Sequence, residues 1–119
     1  MINRACVLLK YKEPMLDWIN TADPTGENPD LTMEQANEDR TVYLVHEEVA
    51  DSPEMLEGWL KQNCDTLFEG ELECWYSDES VWPLNRDFKL FMKWFSAECH
   101  SAVEDTLDTP IMDDDIVEG

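Results

Sequence analysis

Trp75, Tyr76, Asp78, Glu79 and Trp82 fall within eight residues of one another, in the stretch LECWYSDESVWPLNRD, residues 72–87. Ring faces beside carboxylates form a receptor for a cation: the ring quadrupole attracts an ammonium or guanidinium, and the acids neutralise it. These five residues are the candidate binding site. They also have a second use. Asp78 is placed to cap a helical turn over 79–81 while both tryptophans enter the core, since tryptophan is mostly buried and its indole N–H needs a partner. The sequence leaves both readings open.

Other reactive side chains are present but dispersed. Zinc sites gather short ligand pairs such as C-x-x-C or H-x-x-x-H. Here Cys64 and Cys74 are ten residues apart, and the close pair is Cys99–His100. Neighbours on a strand point to opposite faces, so these two do not chelate one metal. A thiol–imidazole pair such as Cys99 with His46 has nothing in the sequence to bring it together. Carboxylate pairs are so numerous among 28 acids that they carry no information; a glycosidase needs two acids held across a cleft at a set separation. The loop acids Asp23, Glu27 and Asp30 lack the order of a calcium loop, and no glycine-rich phosphate loop or G-x-S-x-G is present. No catalytic residue, metal ligand or cofactor is therefore assigned. A small enzyme using Cys99, His100 or a carboxylate pair is the alternative to a binding protein.

Charge narrows the partners. The chain has 119 residues, with 8 basic against 28 acidic side chains and a formal balance of −20. That length builds one domain with its own core. Nucleic acid is excluded as a partner, because phosphate binding needs clustered Lys and Arg; the basic cluster Arg86, Lys89, Lys93 is too small to reverse the field. Anionic membranes are repelled for the same reason. The expected partner is a basic protein, drawn in by electrostatic steering, or a small cationic ligand. Two further accounts of the charge are plain solvation of an ordinary surface and imitation of the phosphate array of DNA. No run approaches the roughly 18–20 apolar residues of a membrane span, and no secretory signal opens the chain. A cytoplasmic address is expected, with Cys6, Cys64, Cys74 and Cys99 as reduced, buried thiols.

The elements that must position these residues follow from periodicity. Residues 2–11 read as a first strand, apolar on both faces at its centre, hence central in a sheet. Pro14 suits a first helical turn, and Met15, Trp18 and Ile19 recur at helical spacing. TADPTGENPD is a loop. Thr32 with Gln35 forms a capping-box pattern for a short helix from Met33 to Asn37 or Glu38. RTVYLVHE is a second strand, apolar on both faces and so expected inside the sheet. Ser52 and Pro53 open a helix. Its apolar stripe advances about 40° per four-residue step, which predicts a break near residues 63–65, with Asp65 capping a second helix to about Tyr76 and Gly70 as another candidate kink. SDESVWPLN is a connector. RDFKLFMKWF is a helix with Phe88, Phe91 and Phe95 inward and Leu90 and Trp94 widening the apolar face. SAECHSAVEDTL alternates and is read as an edge strand rather than a continued helix. The expected fold is α+β, a small three-stranded sheet covered by helices in a two-layer single domain over residues 1–107, with an acidic, frayed tail over 108–119.

The segments NRACVLLKYKEPMLDWIN, RTVYLV, WYSDESVWP and KWFSAECHSAVEDTLDTPI together resemble a group of small acidic bacterial proteins usually labelled hypothetical. The resemblance spans nearly the whole chain. It implies a bacterial, cytosolic origin and supports the third strand. It carries no activity, and no catalytic residue is taken from it.

Overall fold

The computed structural model describes residues 1–23, 26 and 30–113. Glu27 and most of the loop's turn residues, and the tail beyond Asp113, lie outside the described residues. The element order is β1 (Arg4–Tyr11), α1 (Glu13–Thr21), α2 (Met33–Ala36), β2 (Val42–His46), α3 (Pro53–Glu73), α4 (Phe88–Trp94) and β3 (Phe95–His100), with 3-10 turns at Glu47–Ala50 and Glu79–Val81. The fold is α+β: among the described residues, a three-stranded antiparallel sheet and four α-helices.

β1 is central, as its apolar run requires, and the order is β2-β1-β3. Alternate residues of β1 divide cleanly. Ala5, Val7, Leu9 and Tyr11 are buried beneath the helices, while Arg4 and Lys10 are exposed. The second strand departs from expectation: β2 is an edge, not an interior strand. Its apolar residues do occupy both faces, but only one face is covered, so Val45 is buried while Val42 and Leu44 stay 54% and 49% exposed.

Three of these helices begin where a side chain satisfies a free N–H group, whereas α1 starts after Lys12 with no side-chain cap and with Pro14 in its first turn. Thr32 accepts from the Gln35 N–H and the Gln35 side chain accepts from the Thr32 N–H, a complete capping box, though the helix ends earlier than expected, at Ala36. Ser52 caps α3 at the Met55 N–H, ahead of Pro53. Asp87 caps α4 at the Leu90 N–H. At the other end of α4, the Lys12 ammonium donates to the Met92 carbonyl at 2.7 Å and the Lys12 N–H to the Trp94 carbonyl at 2.8 Å. A cation there complements both the unpaired carbonyls and the helix dipole.

The expected break in α3 does not occur. One helix of 21 residues runs through Asn63, Asp65 and Gly70. It buries a single stripe, Leu60, Cys64, Leu67, Phe68, Glu71 and Leu72. The drift of the apolar pattern is absorbed at the ends: Met55 is exposed, and Trp75 and Tyr76 lie beyond the last helical residue. Phe68 then meets Phe91 and Phe95 edge-on, with ring centroids 6.0 and 5.2 Å apart. Each such buried ring contributes a few kcal/mol through burial and contact.

Helix α4 passes into β3 with no intervening loop. Phe95 already has extended backbone, φ −133° and ψ 151°, and is fully buried as the first strand residue. The expected third strand is present, although it ends at His100 rather than running on toward Leu107. A single backbone bond, Ile2 N–H to Val103 carbonyl, carries the pairing past it. The described part of the expected tail, residues 108–113, is exposed and forms neither helix nor strand.

Candidate binding cleft

Trp75 and Tyr76 follow the C-terminus of α3, and their carbonyl–amide bonds to Leu72 tuck them back against α1. There they line a cleft of about 350 Å³ together with Ile19 and Asn20 of α1 and the loop residues Asp23, Gly26, Asp30 and Leu31. The loop is shaped by two devices. Asn20 clamps Leu31 through both its N–H and carbonyl, at 2.9 and 3.0 Å. Gly26 takes φ +61°, a left-handed conformation that a residue without Cβ adopts freely. The cleft therefore presents two aromatic side chains and two carboxylates. Burial, together with the neighbouring Asp23 charge, raises the Tyr76 phenol above its ordinary range, so it stays protonated and donates to the Ile19 carbonyl at 2.6 Å.

The five residues singled out by the sequence separate into two groups. Trp75 and Tyr76 line the cleft. Trp82 is only 8% exposed and its indole donates to the Tyr76 carbonyl at 2.8 Å, so it props the cleft wall from behind. Asp78 caps the 3-10 turn by accepting from the Ser80 N–H and hydroxyl, at 3.0 and 2.7 Å. Those bonds hold its carboxyl below the usual carboxylate range. Glu79 is exposed in the same turn. Neither acid is among the cleft-lining residues. The acids of the cleft are instead Asp23 and Asp30, which the sequence brought up only to set aside as a calcium loop. Arg86, from the basic cluster, lies outside α4 and pairs with Asp65 at 3.1 Å and Glu69 at 2.8 Å, while Lys89 and Lys93 are exposed.

Behind the cleft is a group that sequence reasoning missed. Glu71 is 3% exposed, and no cation pairs with it among the described residues. Two phenols satisfy it: Tyr11 donates to Oε1 at 2.8 Å and Tyr43 donates to Oε2. The Trp75 indole in turn donates to the Tyr11 hydroxyl at 3.0 Å, which links the cleft wall to the buried acid. Burial, then the Glu71 charge, pushes the Tyr11 phenol well up; burial and the hydrogen bond to Glu71 do the same to Tyr43. A buried carboxylate needs such donors to offset lost hydration. Its signal in the sequence was its place on the same stripe as Leu60, Cys64 and Leu67, with Tyr11 on the inward parity of β1.

The Cys/His pair does not assemble. Cys99 pairs with Val7 on the covered face of β3, while His46 pairs with Arg4 on the opposite face, across the sheet on β2. His46 caps the 3-10 turn through Nδ1, accepting from the Glu48 N–H. His100 contacts Glu98 at 3.4 Å on the exposed face of β3 and does not line the cleft. The four thiols are free, but only Cys64 is buried; Cys6 and Cys99 are half-buried and Cys74 is exposed, so the expectation of uniformly buried thiols is corrected. Burial, and then the charges of Glu71 and Glu73, raise the Cys74 thiol, which disfavours the nucleophilic thiolate. Among the described residues no three His, Cys, Asp or Glu side chains converge as metal ligands, and no helix is long and apolar enough to cross a membrane. Compared with protein-family models, curated proteins and solved structures, the chain gives no match.

Proposed function

We propose that the protein works by binding, and that the cleft between α1 and Trp75–Tyr76 takes up a guanidinium or ammonium group. The observation that carries this reading is the composition of one concavity: two aromatic side chains and the carboxylates Asp23 and Asp30 around about 350 Å³. That volume sits at the lower end of small-ligand sites, on the order of 300–1,000 Å³. It suits one cationic head group better than an extended molecule. The source of the cation is either a free amine or a side chain of a basic partner protein, which the field of a −20 chain would steer toward it.

Agmatine and a short arginine-containing peptide are the probes, followed through the Trp75 indole N–H resonance. Saturable shifts confined to Trp75, Tyr76 and Asn20 are expected. Asp30→Asn should weaken binding about fivefold, the weight of roughly 1 kcal/mol for a wet ion pair. Glu79→Gln, exposed and outside the cleft, should change little. Tighter capture of the peptide than of agmatine assigns the site to a protein partner; equal affinity assigns it to a small amine. A non-saturating response of equal size in all variants would mean diffuse counterion uptake and would end the proposal.

A further inference from the structure

The outward face of the sheet runs against the charge balance of the chain as a whole. On β1 it carries Arg4, Cys6, Leu8 and Lys10, and beside them Val42 and Leu44 of β2. The Arg40 guanidinium crosses this face to pair with Glu98 of β3 at 3.1 Å. Among the strand residues on this face Glu98 is the one acid, whereas His46 and His100 add two imidazoles. Three of the chain's eight cations thus rim an apolar centre on a molecule of net charge −20. A second copy docking face to face would set Arg4 and Lys10 against like charges, in addition to the general repulsion.

The segment after β3 has the complementary character. Leu107, Ile111 and Met112 are 71%, 69% and 66% exposed, and Glu104, Asp105 and Asp108 stand among them. Its start is fixed at the Arg4 end of the sheet: Ile2 bonds Val103, and the N-terminal ammonium pairs with Glu104 at 3.1 Å. Asp105 then accepts from the Leu107 N–H at 3.0 Å, a side-chain turn of the kind that redirects a chain. From Leu107 to Asp113 an extended backbone reaches about 23 Å, close to the roughly 26 Å length of β1. Pro110 has no N–H to give to a ladder. The segment therefore suits lying across side chains rather than adding a fourth strand.

We propose that residues 104–113 form a strap that folds back over the outward face of the chain's own sheet, seating Leu107, Ile111 and Met112 on Leu8, Val42 and Leu44 and its carboxylates beside Arg4 and Lys10. Tethering favours this arrangement over the same contact between two molecules, because a short linker holds the segment at an effective concentration on the order of millimolar. The face is then an acceptor for acidic, extended segments with spaced apolar residues, and the chain supplies one.

The test is alkylation of Cys6, which lies at the centre of the face, with exposed Cys74 as the internal reference. The full chain is compared with Leu107→Ser, Ile111→Ser, Met112→Ser combined; these positions are exposed, so the core is untouched. The triple variant should raise the Cys6 rate several-fold relative to Cys74 and move the methyl resonances of Leu8, Val42 and Leu44. Protection in the parent chain should survive about a hundredfold dilution. Unchanged rate and resonances in the variant would overturn the strap. Protection that disappears on dilution would overturn it as well, by giving the face to the segment of a second molecule.

Discussion

On one face of β1, Ala5, Val7, Leu9 and Tyr11 lie beneath the helices, and the carboxylate of Glu71 is enclosed there with two phenols. On the other face, one residue away along the same strand, Arg4 and Lys10 stand in water beside half-exposed Leu44 and Val42. In a chain with 28 acids and 8 cations, the buried acid is held without a cation while cations are left outside. The difference is one of desolvation. Burying an ion pair removes two charges from water, and well-placed neutral donors satisfy one carboxylate at lower cost. Cations on the open face keep their hydration and remain available to other acids.

The sharpest way to break the comparison is to truncate one apolar side chain on the covered side of the sheet and one on the open side. Phe68→Ala should cost about 3–5 kcal/mol, since Phe68 is fully buried against the rings of Phe91, Trp94 and Phe95. Leu44→Ala, on the open face, should stay within about 1 kcal/mol in the same urea titration. Trp82→Ala should resemble the first case, at about 3 kcal/mol, because its indole is a buried donor and not a free contact surface.

A smaller effect isolates the buried acid. Glu71→Gln leaves the volume but deprives the two phenols of a full set of acceptors, and should cost about 1–3 kcal/mol. The alkaline limb of stability tests the same group. Tyr11 and Tyr43 ionise above their ordinary value in the folded protein, whereas in the unfolded chain they ionise near pH ~10. Above that pH the unfolded chain releases protons first. Their contribution is thus complete below about pH 10 and is lost as pH rises toward the raised folded values. Tyr43→Phe should flatten that decline in the denaturation midpoint. Smallest of all, moderate salt should raise thermal stability by a fraction of a kcal/mol by screening repulsion among surface acids; a flat response would show that they are already well spaced.

Local chemistry was legible in the sequence where a side chain acts on its own neighbourhood. Thr32 with Gln35, Ser52 before Pro53 and Asp78 before Glu79 all cap as read. The central place of β1 and the existence of β3 were also readable, because a doubly apolar run and an alternating run differ in period. The edge position of β2 was not. Val42 and Leu44 look the same in a sequence whether a layer covers them or water does. The unbroken α3 was hidden by counting both members of each apolar pair, when only one stripe is buried. Glu71 was hidden by its company: one glutamate among many is unremarkable until register brings Tyr11 and Tyr43 to the same face. For the cleft, Trp75 and Tyr76 were legible from clustering, whereas Asp23 and Asp30 join them only through the fold of a loop far away in the chain.

The middle strand of the sheet is translated before both of its partners, and the second of them follows only after a long stretch of chain. Phe95–His100 pairs with Cys6–Tyr11 across some ninety residues of chain. At ordinary translation rates that strand waits about 5–20 s with one flank unmatched. Throughout that interval it is a sticky template for any passing extended peptide. A nascent chain stalled before residue 95 should therefore be the aggregation-prone species, and emergence of the α4–β3 unit should be the event that ends the hazard.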